Sequence, residues 1–462
     1  MKPERIGAKS EKRVGTDFTQ GAIMPMLISF AIPFLLGNLL TALYNTVDSI
    51  IVGHLIGSAG FVAVTVGGKT LNLFTHISVS FATGGQVYIG QLEGAKQRDR
   101  LNRAIGTLFT EILIVSVAIG ALSFIFAGNI VSLLDTPEEA VADSILYLKI
   151  TAAGLPFVFG YNAVSAILRG MGDSRRPLIF VAIAAVFNVF GDLLFVMVLH
   201  MGVAGTAVAT IMAQFISLAF SIVVLYRERD RFGFDFRLSS FIPKGDVFKA
   251  LVKVSVPLAL RDFMVFGSQL ILVGWANGFG VVEAAAFAVG DRIFHIAVII
   301  TISFRQSSAA MMAQNVGAGL HDRVTGIMKA CYKICGVIVA AMCIVSLLIP
   351  TQIFGIFSED PAVLAFAKSY MLVCCLTYIL SNIGGPLEGM VVATGRSRLN
   401  MFTGVLDSLV FRLLLGWLCA YPAGLRGVGL FMGDSLARLA PIIVYSIFYF
   451  SGSWKKSRRV ID

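Results

Sequence analysis

Two carboxylic acids, Asp48 and Asp192, interrupt otherwise apolar stretches in the first half of the chain. Each has a polar residue four positions earlier, Tyr44 and Asn188, and residues four apart share one face of a helix. Counted from the neighbouring outer loops, Asp48, Asp192 and Thr210 all lie about 12–14 Å below the outer surface at ~1.5 Å per residue. Carboxyl, amide, phenol and hydroxyl oxygens could therefore converge at one depth.

Such a group of oxygens can hold a small cation. Two buried carboxyl groups repel each other when both are ionised, so the pair can take up and release a proton. The same oxygens suit sodium, because hard cations prefer oxygen ligands. Asp48 and Asp192 thus predict a site for a coupling cation, either a proton or a sodium ion. The alternative is that each acid only hydrogen-bonds a neighbouring helix.

The second half of the chain has charged residues of both signs in apolar stretches. They are Arg261, Asp262, Asp291, Arg292, Arg305, Glu388, Asp407, Arg412, Asp434 and Arg438. Asp434 and Arg438 have the spacing of an intrahelical ion pair, and internal pairing is the simplest interpretation for most of the others. Asp262, Asp291 and Glu388 are candidates for lining a cavity or for coupling. The same two interpretations apply to Lys69, His76 and Glu111 in the first half.

These charges are conspicuous because the chain is so apolar. Of its 462 residues, 57% are hydrophobic and 14% charged, against roughly 25% charged in soluble proteins. Apolar runs long enough to cross the ~30 Å hydrocarbon layer recur throughout, which predicts an all-α polytopic membrane protein. The twelve predicted spans are 23–52, 60–89, 104–127, 143–168, 178–200, 202–226, 251–276, 282–312, 327–350, 363–393, 400–421 and 427–450. Kinks are predicted at Pro33, Pro156, Pro257, Pro386 and Pro441.

Basic residues are concentrated in alternate loops and at both chain ends, for example at Arg100, Arg175, Arg229 and Arg323. The loops between them, such as LLDTPEEAVAD and FSEDPAV, are acidic. Because cytoplasmic loops are rich in Lys and Arg, this pattern predicts that both termini lie on the cytoplasmic side of the cell (inner) membrane. The net charge of +10 is then explained by topology, without a nucleic-acid partner. The polar first twenty residues are not a signal peptide.

The two halves of the chain resemble each other at an offset of about 223 residues. GQLEGAKQRDR around Gln91 matches AQNVGAGLHDR around Gln314, and GMGDSRRP matches ATGRSRLN. Six plus six spans with the same orientation form a parallel repeat, which is typical of secondary transporters with a substrate site between the halves. The predicted parts are a tail (1–20), an N-lobe (21–226), a linker (227–250), a C-lobe (251–450) and a tail (451–462). Asp48 and Asp192 have no acidic counterparts in the C-lobe, so coupling is expected in the N-lobe alone.

The repeat, Pro33, YNTVDSIIVGHLIG and LRGMGDSRRP together resemble the MATE family of multidrug and toxic compound extrusion transporters, from about residue 20 to 450. The N-lobe pattern is more similar to the DinF-like branch. The resemblance implies a V of two six-helix lobes and cation-driven export of amphiphilic, often cationic, drug-like compounds. It also implies that the positions matching Tyr44, Asp48, Asn188, Asp192 and Thr210 form the coupling-cation site, where sodium could bind.

A flippase, a channel or receptor, and an ATP-driven pump are the alternative classes of membrane protein. A flippase for lipid-linked saccharides from the same superfamily stays open, since the cationic C-lobe residues could bind an anionic head group. A channel is disfavoured by the two-lobe repeat, and an ATP-driven pump by the absence of a GxxxxGK[ST] motif. No catalytic constellation, cofactor or structural metal is expected; Cys331 and Cys335 share a helix face without further ligands. We expect a monomer in the lipid bilayer.

Overall fold

The computed structural model describes residues 15–134, 136–456 and 458–462; the basic residues predicted for the start of the first tail lie outside them. The described chain contains twelve long helical segments. They are α1 (Ile23–Leu55), α2 (Gly57–Gly94), α3 (Leu101–Ile125), α4 (Glu138–Ala153 and Leu155–Gly170), α5 (Arg175–Val198), α6 (Gly202–Arg227), α7 (Gly245–Asn277), α8 (Val281–Gly317), α9 (His321–Leu348), α10 (Ala367–Ala393), α11 (Ser397–Ala420) and α12 (Arg426–Phe450).

Each predicted span coincides with one of these segments. Among the described residues, ten single helices are long and apolar enough to cross a membrane, and the two parts of α4 make an eleventh if they are counted as one span. The remaining segment, α2, is less apolar because it buries polar and small residues such as Ser80, Gln86 and Gln91. The protein is therefore an all-helical, multi-pass membrane protein.

Two boundaries differ from the sequence-based expectation. The fourth span is not one straight helix, since its two parts meet at 47° around Gly154, beside the kink predicted at Pro156. Proline is favourable there because the first turn of a helix needs no backbone N–H donor. The linker is also shorter than 227–250, because α7 already begins at Gly245 and residues 245–250 belong to it.

The buried apolar side chains of the described residues form four clusters. Two of these clusters contain residues from both halves of the chain, and they show where the halves pack together. One cluster joins α2–α4 to Val247 and Leu251 of α7, and another joins α8–α10 to Leu27 and Phe30 of α1. The other two draw on one half only, α7–α12 or α2–α6. The N-lobe (α1–α6) and C-lobe (α7–α12) are thus joined at the end that carries both tails and the linker, which we call the terminal end. At the opposite, open end they have separate cores.

Each tail crosses to the other lobe at the terminal end. The Phe18 backbone N–H of the first tail donates to Gln314 Oε1 on α8 (3.0 Å). The Val460 backbone N–H of the last tail donates to Gln91 Oε1 on α2 (2.8 Å). Gln91 and Gln314 occupy matching positions of the repeat, so the two tails are exchanged symmetrically between the lobes.

The lobes also contact each other directly at this end, through side-chain hydrogen bonds to backbone carbonyls and through a close approach of the two backbones. The side-chain amide of Gln91 donates to the Ala393 carbonyl (2.8 Å), and that of Gln314 donates to the Gly170 carbonyl (3.0 Å). A Cβ atom on Gly94 would lie only 1.8 Å from the Gln314 carbonyl oxygen. This approach therefore requires glycine.

Replacing Gly94 with alanine should force the lobes apart at the terminal end, because the obstructing atom belongs to the backbone and cannot rotate away. Gly317 makes the equivalent approach in the other direction, so Gly317→Ala should have the same effect. Spin labels on the exposed residues Arg103 and Asp322, one on each lobe, would report a longer distance in both variants. Gly68→Ala, on α2 with open space around it, is the control. An unchanged distance in both variants would contradict this account of the closure.

Candidate functional site

The acids Asp48 and Asp192 meet in the half of the N-lobe nearer the open end. Their carboxyl groups on α1 and α5 lie close enough to interact directly. Asp192 is fully buried, and neither of its carboxylate oxygens has a hydrogen-bond partner among the described residues; nor does Asp48 Oδ1. Buried ionised groups without partners are strongly unfavourable. The pair therefore requires a proton or another cation when it is enclosed.

Two further side chains extend this set of oxygens. The Asn188 amide on α5 donates to Thr210 Oγ1 on α6 over 3.5 Å, near the long limit for a hydrogen bond. Asn188 Oδ1 has no partner in the described chain, and neither has the buried hydroxyl of Thr206. The cluster thus contains several buried acceptors that no donor satisfies.

Aromatic hydroxyl groups border the cluster. Tyr44, one turn before Asp48 on α1, interacts with that carboxyl as predicted from the spacing. Tyr147 on α4 is buried beside Asp48, Asp192 and Thr210, a position that residue spacing did not predict. All five residues predicted for the site are therefore brought together, and Tyr147 is an additional member.

Local backbone features position these side chains. The regular part of α5 ends at Asp192 and continues as a π-helical segment, Leu193–Val198, a geometry that occurs frequently at functional sites. Gly191 allows α5 to pack closely on α6, since a Cβ atom there would lie 3.0 Å from the Cβ of Ala209. This proximity brings Asn188 within reach of Thr210.

The chemistry of the site fits a proton or a hard monovalent cation. The acceptors are carboxylate, amide and hydroxyl oxygens, and no group of three or more His, Cys, Asp or Glu residues in the described chain is arranged to hold a metal ion. No ion pair joins Asp48 or Asp192 to a described basic residue. Asp48, Asp192, Asn188 and Thr210 would supply the oxygens for a sodium ion.

The charged residues of the C-lobe are arranged differently, because most are paired. Glu388, a candidate cavity residue, accepts from both Arg261 (2.8 Å) and Arg305 (2.7 Å). Asp434 and Arg438 form the intrahelical ion pair predicted from their spacing, with a 2.9 Å contact. These acids are therefore neutralised by arginines of their own lobe.

Arg412 completes a buried network in the C-lobe. Its guanidinium contacts Asp407 and Asp434, each at 2.9 Å, and is almost inaccessible to solvent. Asp407 and Arg412 lie five residues apart in a second π-helical segment, Leu406–Arg412. The wider π turn places residues at this spacing on one face, so the pair could not be found from the spacing of ordinary helices.

The other two candidates, Asp262 and Asp291, are more accessible. Asp262 accepts a 2.6 Å hydrogen bond from Ser80 of the N-lobe, and its side chain is 33% exposed. Asp291 contacts His295 at 3.4 Å and is 43% exposed. His76 of the N-lobe interacts with both Asp262 and His295. These residues therefore lie along the boundary between the lobes.

Comparison with known proteins agrees with this architecture. The chain is 26% identical over 451 residues to the probable multidrug resistance protein YpnP of Bacillus subtilis, covering 95% of this chain and 97% of that protein. It is 24% identical over 436 residues to the multidrug export protein MepA of Staphylococcus haemolyticus, covering 93% and 95%.

Solved structures show the same fold. An outward-facing multidrug resistance MATE transporter of the MOP superfamily aligns with a TM-score of 0.89 at 20% identity, over 96% of this chain and 99% of that one. A MOP superfamily transporter from Pyrococcus furiosus aligns with the same TM-score, identity and coverage.

A family model matches the chain twice. The MatE model covers residues 33–194 and 257–418, two stretches of equal length that lie in the N-lobe and the C-lobe. Together they make up more than half of the chain. The chain therefore belongs to the MatE family, whose members are multidrug efflux transporters rather than enzymes and typically work by cation-coupled antiport.

Proposed function

We propose that this protein exports amphiphilic, cationic organic compounds in exchange for a proton or a sodium ion bound at the Asp48–Asp192 cluster. The observation that carries the proposal is the set of buried, unpartnered oxygens on these two acids. The C-lobe acids Glu388 and Asp434 differ, because each contacts two arginines. This asymmetry supports coupling in the N-lobe, the arrangement that the DinF-like branch implies.

The site would act by changing which packing of the N-lobe is more stable. With a proton or sodium ion bound, the charges of Asp48 and Asp192 are offset and α1 can pack against α5. When the cation leaves, the carboxylates repel each other and draw in water, which favours a looser arrangement. A difference of a few kcal/mol between the two arrangements suffices to reverse their populations.

The boundary between the lobes is the proposed substrate site. Asp262 and Asp291 are the accessible carboxylates there, and either could hold a positively charged group. The relatives YpnP and MepA are named as multidrug proteins, which supports drug-like substrates for this chain.

A lipid-linked saccharide flippase is less well supported. Its substrate would need cationic side chains for an anionic head group. Arg261, Arg305 and Arg412 are the buried C-lobe candidates, but each contacts one or more carboxylates of the same lobe. The arrangement therefore favours the exporter.

Transport by purified protein in liposomes tests the proposal. Proton and sodium gradients are imposed separately, and ethidium movement is measured. We expect export against the ethidium gradient with one of the two ions, and none without a gradient. Ethidium movement that ignores both gradients would exclude antiport. Lipid-linked saccharide movement without ethidium movement would establish the flippase instead.

The orientation is also proposed: the terminal end is cytoplasmic, in a monomer within the cell membrane. A cysteine at exposed Leu238 in the linker should react with an impermeant maleimide only after the membrane is opened. Cysteines at exposed Leu133 and Ile356 should react in intact cells. Replacing the half-buried Cys343 and Cys419 lowers the background. Labelling of Leu238→Cys in intact cells would reverse the orientation.

A further inference from the structure

Glu111 on α3 is a buried carboxylic acid that the proposed coupling site does not use. Its side chain is 1% exposed, and neither carboxylate oxygen has a hydrogen-bond partner among the described residues. It lies about 15 Å along α3 from Leu101 at ~1.5 Å per residue, which places it deep in the bundle on the side of the terminal end. An ionised carboxylate enclosed in this way would be strongly unfavourable.

Glu111 lies where the two lobes meet. Ser255 of α7 is beside its carboxyl group. The Ser255 hydroxyl also donates to the Phe81 carbonyl of α2 over 3.3 Å, and a Cβ on Gly84 would lie 2.2 Å from the Ser255 oxygen. The carboxyl is therefore enclosed by α2 and α3 of the N-lobe and α7 of the C-lobe.

No described charge compensates Glu111. Four charged or titratable side chains of α2, α4 and α7 have other partners. His76 interacts with Asp262, Asp262 accepts from Ser80, Arg169 donates to Gln86, and Lys149 lies over the Phe124 ring. From the linker, Lys244 reaches α3 only through its backbone N–H, which donates to Thr107. The Ser255 hydroxyl is thus the one described group beside an ionised Glu111, and no described positive charge offsets it while the lobes are packed together.

We propose that Glu111 is a second proton-binding site of the transport cycle, protonated while α7 is packed against α2 and α3 and ionised once they separate. Closing the terminal end removes water from the carboxyl, which then takes up one proton. Opening it admits water, and the proton is released on that side. This inference rests on the proposed function for its orientation: the proton would be exchanged with the cytoplasm.

The sign of the pH effect follows from linkage. The closed state binds one more proton at Glu111 than the open state, so lowering the pH favours the closed terminal end. For a single proton, the ratio of closed to open molecules changes by at most about tenfold per pH unit. The acids Asp48 and Asp192 also bind protons, so their contribution must be removed separately.

Spin labels at Arg103 and Asp322 on the full-length protein would measure the opening across a pH titration. The background carries Asp48→Asn and Asp192→Asn, which removes titration at the coupling cluster. We expect the open fraction to rise with pH in this background and to lose most of this dependence when Glu111→Gln is added, leaving only the part due to His76 and His295 at the lobe boundary. Glu111→Asp should retain a pH dependence, because it keeps a titrating carboxyl at the same place.

Glu138→Gln, an exposed acid at the open end, is the matched control and should leave the pH dependence unchanged. The proposal is overturned if adding Glu111→Gln leaves the full pH dependence. It is also overturned if the open fraction of the background protein does not change with pH although the spin labels detect both the open and the closed distance. Neither result would bear on whether Asp48 and Asp192 drive export, since the measurement is made without them.

Discussion

Asp48→Asn and Asp192→Asn proteins should each insert and fold, yet lose gradient-driven export by at least about tenfold, the effect of ~1.4 kcal/mol on the balance between two conformations. Asparagine has nearly the shape of a neutral carboxylic acid but cannot exchange a proton or supply a full negative charge to sodium. Each substitution therefore imitates the cation-bound state permanently. Because it removes a buried charge rather than adding one, the fold should tolerate it.

The measurement is transport in proteoliposomes under the gradient that drives the wild-type protein, with insertion checked by gel filtration. Asp230→Asn, which changes a fully solvent-exposed acid in the short helix Arg229–Phe232, is the control and should export normally. Substrate binding should survive in the Asp48 and Asp192 variants, since the proposed cavity lies between the lobes. Wild-type export rates in both variants would show that coupling lies elsewhere, and Asp262 and Asp291 would become the candidates.

Arg412→Met should strongly destabilise the C-lobe. It leaves Asp407 and Asp434 buried without the guanidinium that contacts both, and removing one partner of a buried ion pair costs about 3–5 kcal/mol. Arg438 still contacts Asp434, so the larger part of the loss should come from Asp407.

Thermal unfolding of the detergent-purified protein would detect this loss as a lower melting temperature and a lower folded yield. Arg426→Met is the control, because Arg426 is 57% exposed and its partner Glu283 keeps a hydrogen bond from the Gly427 backbone N–H, so the loss should be smaller. Adding Asp407→Asn to Arg412→Met should recover part of the stability. A melting temperature equal to wild type for Arg412→Met would show that water reaches these carboxylates.

The two lobes and the proximity of Asp48, Asp192 and Thr210 could be predicted from the sequence because both depend on simple counting. Asp48, Asp192 and Thr210 could be placed at one depth from loop positions, since α1, α5 and α6 are each continuous. Tyr147 could not be placed in this way, because α4 bends at Gly154 and no pattern indicated which face of it turns inward.

The C-lobe network shows a second limit of sequence patterns. The ion pair between Asp434 and Arg438 was predicted from helical spacing. The pair between Asp407 and Arg412 requires a π turn, which no residue pattern predicted. Glu388 lies between arginines from two other helices, Arg261 and Arg305, which are distant in sequence. Such contacts depend on helix packing rather than on local periodicity.

The exchanged tails have a consequence for how the protein is made. During synthesis the N-lobe leaves the ribosome first, yet the donor to Gln91 Oε1 is Val460, which is translated only after all twelve helical segments. Gln314 can instead receive Phe18 as soon as α8 is in place. A nascent or prematurely terminated chain could thus contain all its helices and still lack the hydrogen bond from Val460 to Gln91 Oε1. This contact of the N-lobe therefore cannot form until the whole C-lobe has been translated.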